Sequence, residues 1–218
     1  MNIIKVDFYT PSQVKKLANK QLKREDDGPL AATIVALLGS TYLDLTDLSY
    51  LLVEDIVSER NSINHIFTHP ISNKVVVIPK GWIAELINEY LNWCKRHTVG
   101  QQNLKIYCGR NPESSFLLKR GSVSFKCSPK SKDSNVSIMQ PQALARYVRG
   151  LNLPVGITPR ILNRSYLINL AEQQFKYGHR EAAILNLELV SRLHRETISK
   201  LTRRNPETIE QSVKNLFG

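Results

Sequence analysis

The sequence predicts an α+β fold that is mostly helical, with a small antiparallel β-hairpin as its strand component. The first observation is periodicity, because apolar residues between Ile83 and Cys94 recur every three or four positions. The second is capping chemistry, because Thr10 and Thr158 each precede a proline in the manner of a helix start. The third is the stretch 63–78, where β-branched residues flank a turn sequence.

Three helices are predicted in the N-terminal part of the chain. The first begins at Pro11 and sets an apolar stripe against a basic face. The stripe consists of Val14, Leu17, Ala18 and Leu22, and the basic face of Lys15, Lys16, Lys20, Lys23 and Arg24. The second helix, at 30–38, is apolar on almost every side, so we expect it to be deeply buried and to end at Gly39. A short third helix starts near Thr46.

A β-hairpin is predicted from segments 63–68 and 74–78, with the polar residues 69–73 as its turn and Pro79 closing it. A long amphipathic helix follows the hairpin. Its apolar face consists of Ile83, Leu86, Ile87, Tyr90, Leu91 and Cys94.

The section 95–150 is basic and less regular. It contains eleven Lys and Arg against two acidic residues, a local excess of nine positive charges. A second hairpin is an option at 116–127, where two apolar stretches lie on either side of Gly121. Segment 128–135 is polar and contains a proline, which is typical of a loop.

The remainder of the chain is helical in pattern. Helices are predicted at 141–150, 158–177, 180–193, 195–203 and 206–216. The domain organisation we predict is an N-terminal strand and helix appendage at 1–26, followed by a single domain at 27–218.

The chain carries a formal net charge of +11, from 30 Lys and Arg against 19 Asp and Glu. Such an excess repels itself and is relieved by a polyanion, which favours nucleic acid as the partner. The alternative is a basic surface kept for solubility, although acidic residues serve solubility better. No apolar run is long enough to cross a membrane and no secretory signal is visible, so we expect a cytoplasmic protein without a membrane partner.

The sequence gives no indication of metal or cofactor chemistry. Its three cysteines and five histidines share no ligand spacing, so reduced thiols and no zinc site are expected. It also lacks a glycine-rich phosphate loop and a nucleophile elbow. Acidic residues cluster at Asp44, Asp47, Glu54 and Asp55, a placement more typical of helix caps than of metal ligands.

The candidate functional residues are basic side chains that would contact a DNA backbone. The late helices carry more arginine than lysine, and arginine suits bidentate contacts with phosphate or guanine. On these helices the predicted contacts are Arg160, Arg164, Arg192, Arg195 and Lys200. In the basic section they are Lys119, Arg120, Lys126, Lys130 and Lys132. Each is expected to meet phosphates more than base edges.

Two stretches of the chain resemble the two sequence boxes of the tyrosine recombinases, the phage integrase family. In the stretch 43–56, Thr46 and Asp47 stand for the family's Ser-Glu pair, and Asp55-Ile56 matches its Asp-Ile. The stretch 158–166 resembles the second box, where the family places histidine, leucine, arginine and histidine. The hairpin before a proline and a long helix fits the same pattern. The resemblance runs from about residue 27 to the end and implies the catalytic-domain fold of that family, with Gly178 ending the helix of the second box.

The arginines of the family are not retained in these boxes. Family members use arginines, a lysine and histidines to stabilise the phosphate while a tyrosine attacks it. The first arginine position holds Asp44, which would repel a phosphate. The second holds Asn163, or Arg164 if the register slips by one.

The late catalytic positions are also altered. Counting from Gly178, the late histidine position is Val190 and the position of the nucleophile is Ser199. No tyrosine follows Tyr177. The resemblance therefore implies a recombinase-like fold without the strand-cleaving chemistry.

Together these observations predict a non-catalytic protein that binds double-stranded DNA through a degenerate recombinase-like fold. It would act as a transcriptional regulator or a recombination accessory factor of a mobile element. One alternative is a basic protein-interaction or structural subunit, forming a homo-oligomer or binding a partner protein through the apolar residues of its C-terminal helix. Another is an active strand-cleaving enzyme that uses Ser199 as an atypical nucleophile.

Overall fold

A computed structural model describes residues 8–57, 62–98, 117–118 and 141–192, and confirms the mostly helical α+β class. The helices in these ranges are α1 Pro11–Leu22, α2 Gly28–Ser40, α3 Leu45–Tyr50, α4 Val53–Ile56, α5 Trp82–Thr98, α6 Pro141–Arg149, α7 Pro159–Lys176 and α8 Arg180–Arg192. The strands are β1 Ile66–Thr68 and β2 Val75–Val77. The predicted second hairpin at 116–127 and the predicted helices at 195–203 and 206–216 lie largely or wholly outside the described residues.

Helix α2 is the centre of the fold. Apart from Pro29, every one of its residues is buried, and it packs against α1, α5 and α7. This confirms the prediction from its all-round apolar pattern. Full burial of a large aliphatic side chain contributes about 1.5–3 kcal/mol, so residues such as Leu30, Ile34 and Leu37 account for much of the core.

The prediction that Gly39 ends α2 is wrong, because the helix continues to Ser40. The glycine serves packing instead. A Cβ placed on Gly39 would lie 2.6 Å from Cγ1 of Val14 on α1, so the absence of a side chain allows the two helices to approach. The helix ends at Thr41, whose hydroxyl and N–H both donate to the Leu37 carbonyl, at 2.6 and 3.1 Å.

Helix α1 shares the core of the other helices. Val14 and Ala18 are fully buried, which confirms its predicted apolar stripe. The chain entering α1 is fixed to α7, because the Tyr9 N–H donates to Ser165 Oγ at 2.8 Å and Asn169 Nδ2 donates to the Tyr9 carbonyl at 2.8 Å. The division of the chain at residue 26 stays a prediction.

The predicted hairpin is confirmed. Strands β1 and β2 are antiparallel, with Phe67 opposite Val76. Val76 is fully buried, whereas Ile66, Val75 and Val77 face outward. Asn73 takes a left-handed conformation in the turn, with φ of 55°, which asparagine tolerates better than most residues.

Helix α7 begins and ends as its sequence predicts. The Thr158 hydroxyl accepts a hydrogen bond from the Ile161 N–H at 3.2 Å, and Pro159 occupies the first turn. Gly178 follows the helix with φ of 81°, and the His179 N–H donates to the Gln174 carbonyl. Helix α8 then packs back against α7.

Leu117 and Leu118 belong to the buried core. The Leu117 N–H donates to the Leu51 carbonyl at 2.7 Å, and the Leu117 carbonyl accepts from the Tyr90 hydroxyl at 2.9 Å. Among the helices that the structure describes, none has the length and apolar character needed to span a bilayer.

Candidate nucleic-acid interface

The N-terminus of α3 carries a pair of carboxylates that cap it reciprocally. Asp44 Oδ1 accepts hydrogen bonds from the N–H groups of Thr46 and Asp47, at 2.8 and 3.0 Å. Asp47 Oδ2 in turn accepts from the Asp44 N–H at 2.9 Å. The capping role predicted for these two residues is therefore confirmed, and it fixes both carboxylates at one point of the surface.

Lys74 joins this pair from the hairpin. Its Nζ donates to Asp47 Oδ2 at 2.6 Å and to Asp44 Oδ2 at 3.1 Å, and it lies 5.2 Å from the centroid of the Tyr42 ring. The Asp47 side chain is 3% exposed, that of Lys74 25% and that of Asp44 49%. We call Asp44, Asp47 and Lys74 the carboxylate–lysine cluster. Two carboxylates and one ammonium give it an excess of negative charge.

The charges of this cluster stabilise one another. Burial alone would lower the pKa of Lys74, but its hydrogen bonds to Asp47 and Asp44 outweigh burial and raise that pKa. Burial alone would likewise raise the pKa of Asp44. The Asp47 N–H and the Lys74 ammonium outweigh it, so the pKa of Asp44 is lowered. Asp44 and Lys74 are therefore both charged at neutral pH, and the Lys74 ammonium forms ion pairs with the two carboxylates.

His69 anchors the hairpin beside the cluster. It is fully buried. Its Nδ1 accepts hydrogen bonds from the N–H groups of Ile71 and Ser72, at 3.3 and 3.2 Å, which leaves Nε2 to donate to the Asp47 carbonyl at 3.0 Å. This histidine therefore holds the turn of the hairpin against α3, and its two ring nitrogens are occupied by structural bonds.

The two boxes of the sequence meet at Asn163. This residue is 8% exposed on α7, and its Nδ2 donates to the carbonyl of Leu43, the residue before Asp44, at 3.0 Å. The positions that the resemblance assigns to two catalytic arginines are thus adjacent in space. The first is an aspartate, and in the register that assigns the second to Asn163 it is a neutral amide bound to the backbone, so in that register neither offers a positive charge. A shift of one residue would assign the second position to Arg164, which is 6% exposed.

The position assigned to the late histidine lies in an apolar cluster. Val190 is 6% exposed and packs with Leu167 and Ile168, while Tyr42 and Tyr166 cover this group. Burial, with a smaller effect of Tyr42, raises the pKa of Tyr166, so its hydroxyl stays protonated at neutral pH. The position assigned to the late histidine is therefore occupied by a buried apolar side chain.

The predicted DNA-contact residues fall into three groups. Arg160 is exposed in the first turn of α7, where it is accessible to a ligand. Arg164 is 6% exposed, so the expectation of a surface contact does not fit its placement. The reason is that α7 is buried around most of its circumference at 162–165. Arg192 ends α8, and the other predicted contacts lie outside the described residues: Lys119, Arg120, Lys126, Lys130, Lys132, Arg195 and Lys200.

Other exposed cations were not among the predicted contacts. On α6, Arg146 and Arg149 are exposed while Leu144, Tyr147 and Val148 are buried. On α1 the exposed cations are Lys15, Lys16 and Lys20, and Lys23 at the C-cap of the helix is exposed as well. The signal that identifies both sets is helical spacing, because each set lies away from a clear apolar stripe.

Comparison with solved structures finds the same fold elsewhere. The XerA recombinase superposes with a TM-score of 0.56 at 11% sequence identity, over 94% of this chain and 67% of that one. A fragment of the Tn1549 transposon integrase, in complex with circular intermediate DNA, gives a TM-score of 0.43 at 13% identity, over 86% of this chain and 60% of that one. No protein-family model and no curated protein matches the sequence. The chain therefore has a fold similar to that of the XerA recombinase, as its resemblance to the tyrosine recombinases predicts.

Proposed function

We propose that this protein binds double-stranded DNA without cleaving it, as a transcriptional regulator or recombination accessory factor of a mobile element. The observation that carries the proposal is a recombinase-like fold with a net charge of +11. A recombinase-like fold offers a surface on which a DNA duplex can bind. The excess of Lys and Arg can neutralise the phosphates of that duplex and release their condensed counter-ions.

The carboxylate–lysine cluster supports the absence of cleavage. Strand transfer at a phosphate needs positive charge aimed at the oxygens that become more negative in the transition state. Asp44, at the first arginine position, carries a negative charge where the family has a positive one. Its carboxylate also forms an ion pair with Lys74. Val190 supplies no charge at the late histidine position, and neither does Asn163 in the register that assigns it to the second arginine. A phosphate at this place would meet repulsion where catalysis requires attraction.

DNA binding is tested by titrating a labelled duplex at several salt concentrations. We expect the logarithm of the binding constant to fall linearly with the logarithm of salt, with a slope of about −4 or steeper, because each neutralised phosphate contributes about −0.9. Replacing chloride with glutamate separates cation release from anion binding. Undetectable binding at low salt, or binding that ignores salt, would refute the proposal.

A further inference from the structure

Helix α1 presents a row of lysines to solvent. Lys16 and Lys20 on the helix and Lys23 at its C-cap follow the spacing i, i+4, i+7, so they lie within about 60° of one another around the helix axis. The buried residues Val14, Leu17, Ala18 and Gln21 occupy the opposite side. We call the three residues the lysine stripe. It extends for about 10 Å along the helix, at 1.5 Å per residue.

The stripe has no internal neutralisation. None of the twelve residues of α1 is acidic. In the described part of the chain, Arg24 and Lys74 form ion pairs with aspartates, and the Lys15 ammonium lies 6.0 Å from the centroid of the Trp82 ring. Like charges at i and i+4 destabilise a helix by about 0.2–0.5 kcal/mol, so Lys16 and Lys20 oppose folding unless an anion lies between them.

Carboxylates do occur just beyond the end of α1. Glu25 and Asp26 are exposed there. Asp27 is already occupied, since its Oδ1 accepts from Arg24 Nε at 2.6 Å and its Oδ2 from the Tyr147 hydroxyl at 2.7 Å. The acidic residues therefore lie past the C-terminal end of the stripe, and the part around Lys16 and Lys20 has no carboxylate on its own helix.

The stripe is held rigidly. The Thr10 N–H donates to Gln13 Oε1 at 2.8 Å, which caps the helix, and the close approach at Gly39 sets its distance from α2. The bonds from Tyr9 to α7 fix its orientation. A rigid row of cations loses little backbone entropy when it binds a ligand.

The residues in and around the lysine stripe favour duplex DNA over a membrane or single-stranded nucleic acid as the anionic partner. A membrane-bound amphipathic helix inserts its apolar face, but here that face is buried against α2. Single-stranded nucleic acid is bound through aromatic stacking, and α1 contains no aromatic residue. Evenly spaced ammonium groups without base-reading partners suit the phosphates of a duplex.

We infer that the lysine stripe of α1 is a contact surface for the phosphate backbone of duplex DNA, in addition to the contacts predicted on α7 and at 119–132. The inference rests on the proposed function and adds a location to it. The contact is independent of sequence, because ammonium groups on phosphates fix position without reading bases.

The test compares two double variants that remove the same charge. Lys16→Gln with Lys20→Gln alters the stripe, and Lys80→Gln with Lys176→Gln alters exposed lysines outside α1. We expect the stripe variant to weaken binding equally on unrelated duplexes and to make the salt slope shallower by about two, at about one per lost phosphate contact. The control variant should keep the wild-type slope. Circular dichroism should be unchanged for both variants. The melting temperature should not fall in either, and relief of the repulsion between Lys16 and Lys20 should raise it slightly in the stripe variant.

The remaining outcomes separate a failure of the inference about the stripe from a failure of the proposed function. If the wild type binds DNA and the stripe variant keeps its slope, the stripe is not a contact and the proposed function stands. Equal losses in both double variants would mean that binding follows net charge alone, which also overturns the inference. A wild type that does not bind duplex DNA overturns the inference and the proposed function together.

Discussion

Replacing Lys74 with methionine is expected to lower the free energy of unfolding by about 3 kcal/mol, at the low end of the range for breaking a buried ion pair. The loss arises because the side chain of Asp47 is 3% exposed and would lose its ammonium partner, which leaves a buried carboxyl group without its cation. Lys74 itself retains some exposure, which is why the upper end of the range is not expected. Urea unfolding at neutral pH measures the change.

Two further variants isolate the cause of this loss. Adding Asp47→Asn to Lys74→Met should recover much of the stability, because the amide oxygen still accepts from the Asp44 N–H and carries no charge. Lys80→Met is the matched control, since Lys80 is exposed and a surface substitution usually changes stability by about 0.5 kcal/mol or less. A Lys74→Met variant as stable as the control would contradict the importance of the cluster.

The contribution of the cluster should also depend on pH with a defined sign. The pKa of Asp44 is lowered from 3.8, so its contribution is present above that value and lost as pH falls through the lower folded pKa. The pKa of Lys74 is raised from 10.5, so its contribution is present below that value and lost as pH rises through the higher folded pKa. The stability difference between wild type and Lys74→Met should therefore be level between these limits and shrink in acid.

Replacing His69 with alanine is expected to cost about 3 kcal/mol of unfolding free energy. The substitution leaves a cavity at a fully buried position and removes the acceptor of the Ile71 and Ser72 N–H groups. It also removes the donor to the Asp47 carbonyl, so the hairpin keeps its Lys74 ion pairs with α3 but loses the hydrogen bond from His69. Thermal or urea unfolding measures the loss.

His65→Ala serves as the control for the His69 substitution. His65 is partly exposed, and its Nδ1 is hydrogen-bonded to the Ile78 carbonyl at 3.0 Å. We expect a loss of about 1 kcal/mol or less there. Similar losses for the two histidines would mean that His69 does not anchor the hairpin as its contacts indicate.

Features set by neighbouring residues in the sequence were predictable. The Thr158–Pro159 start of α7, the caps at Asp44 and Asp47 and the buried α2 each depend on a few adjacent positions. Their chemistry is local, so pattern and residue type suffice to predict them.

Features that depend on distant contacts were not predictable. Lys74 lies 30 positions from Asp44, and nothing in either segment indicates that they pair. Gly39 had the pattern of a helix end, but its role is set by Val14 on another helix. Arg164 was predicted to contact DNA, whereas packing around α7 buries it. In each case the deciding contact comes from another element of the fold.

We propose that this recombinase-like fold binds duplex DNA without cutting it, and one experiment tests both parts of this claim. A labelled duplex with a nick near its centre, which traps a covalent recombinase intermediate, is incubated with the protein and run on native and denaturing gels. We predict a retarded band on the native gel and free DNA alone on the denaturing gel, because Asp44 stands where the resemblance places an arginine that stabilises strand transfer. A protein–DNA band that survives denaturation would contradict the claim, and so would the absence of any retarded band.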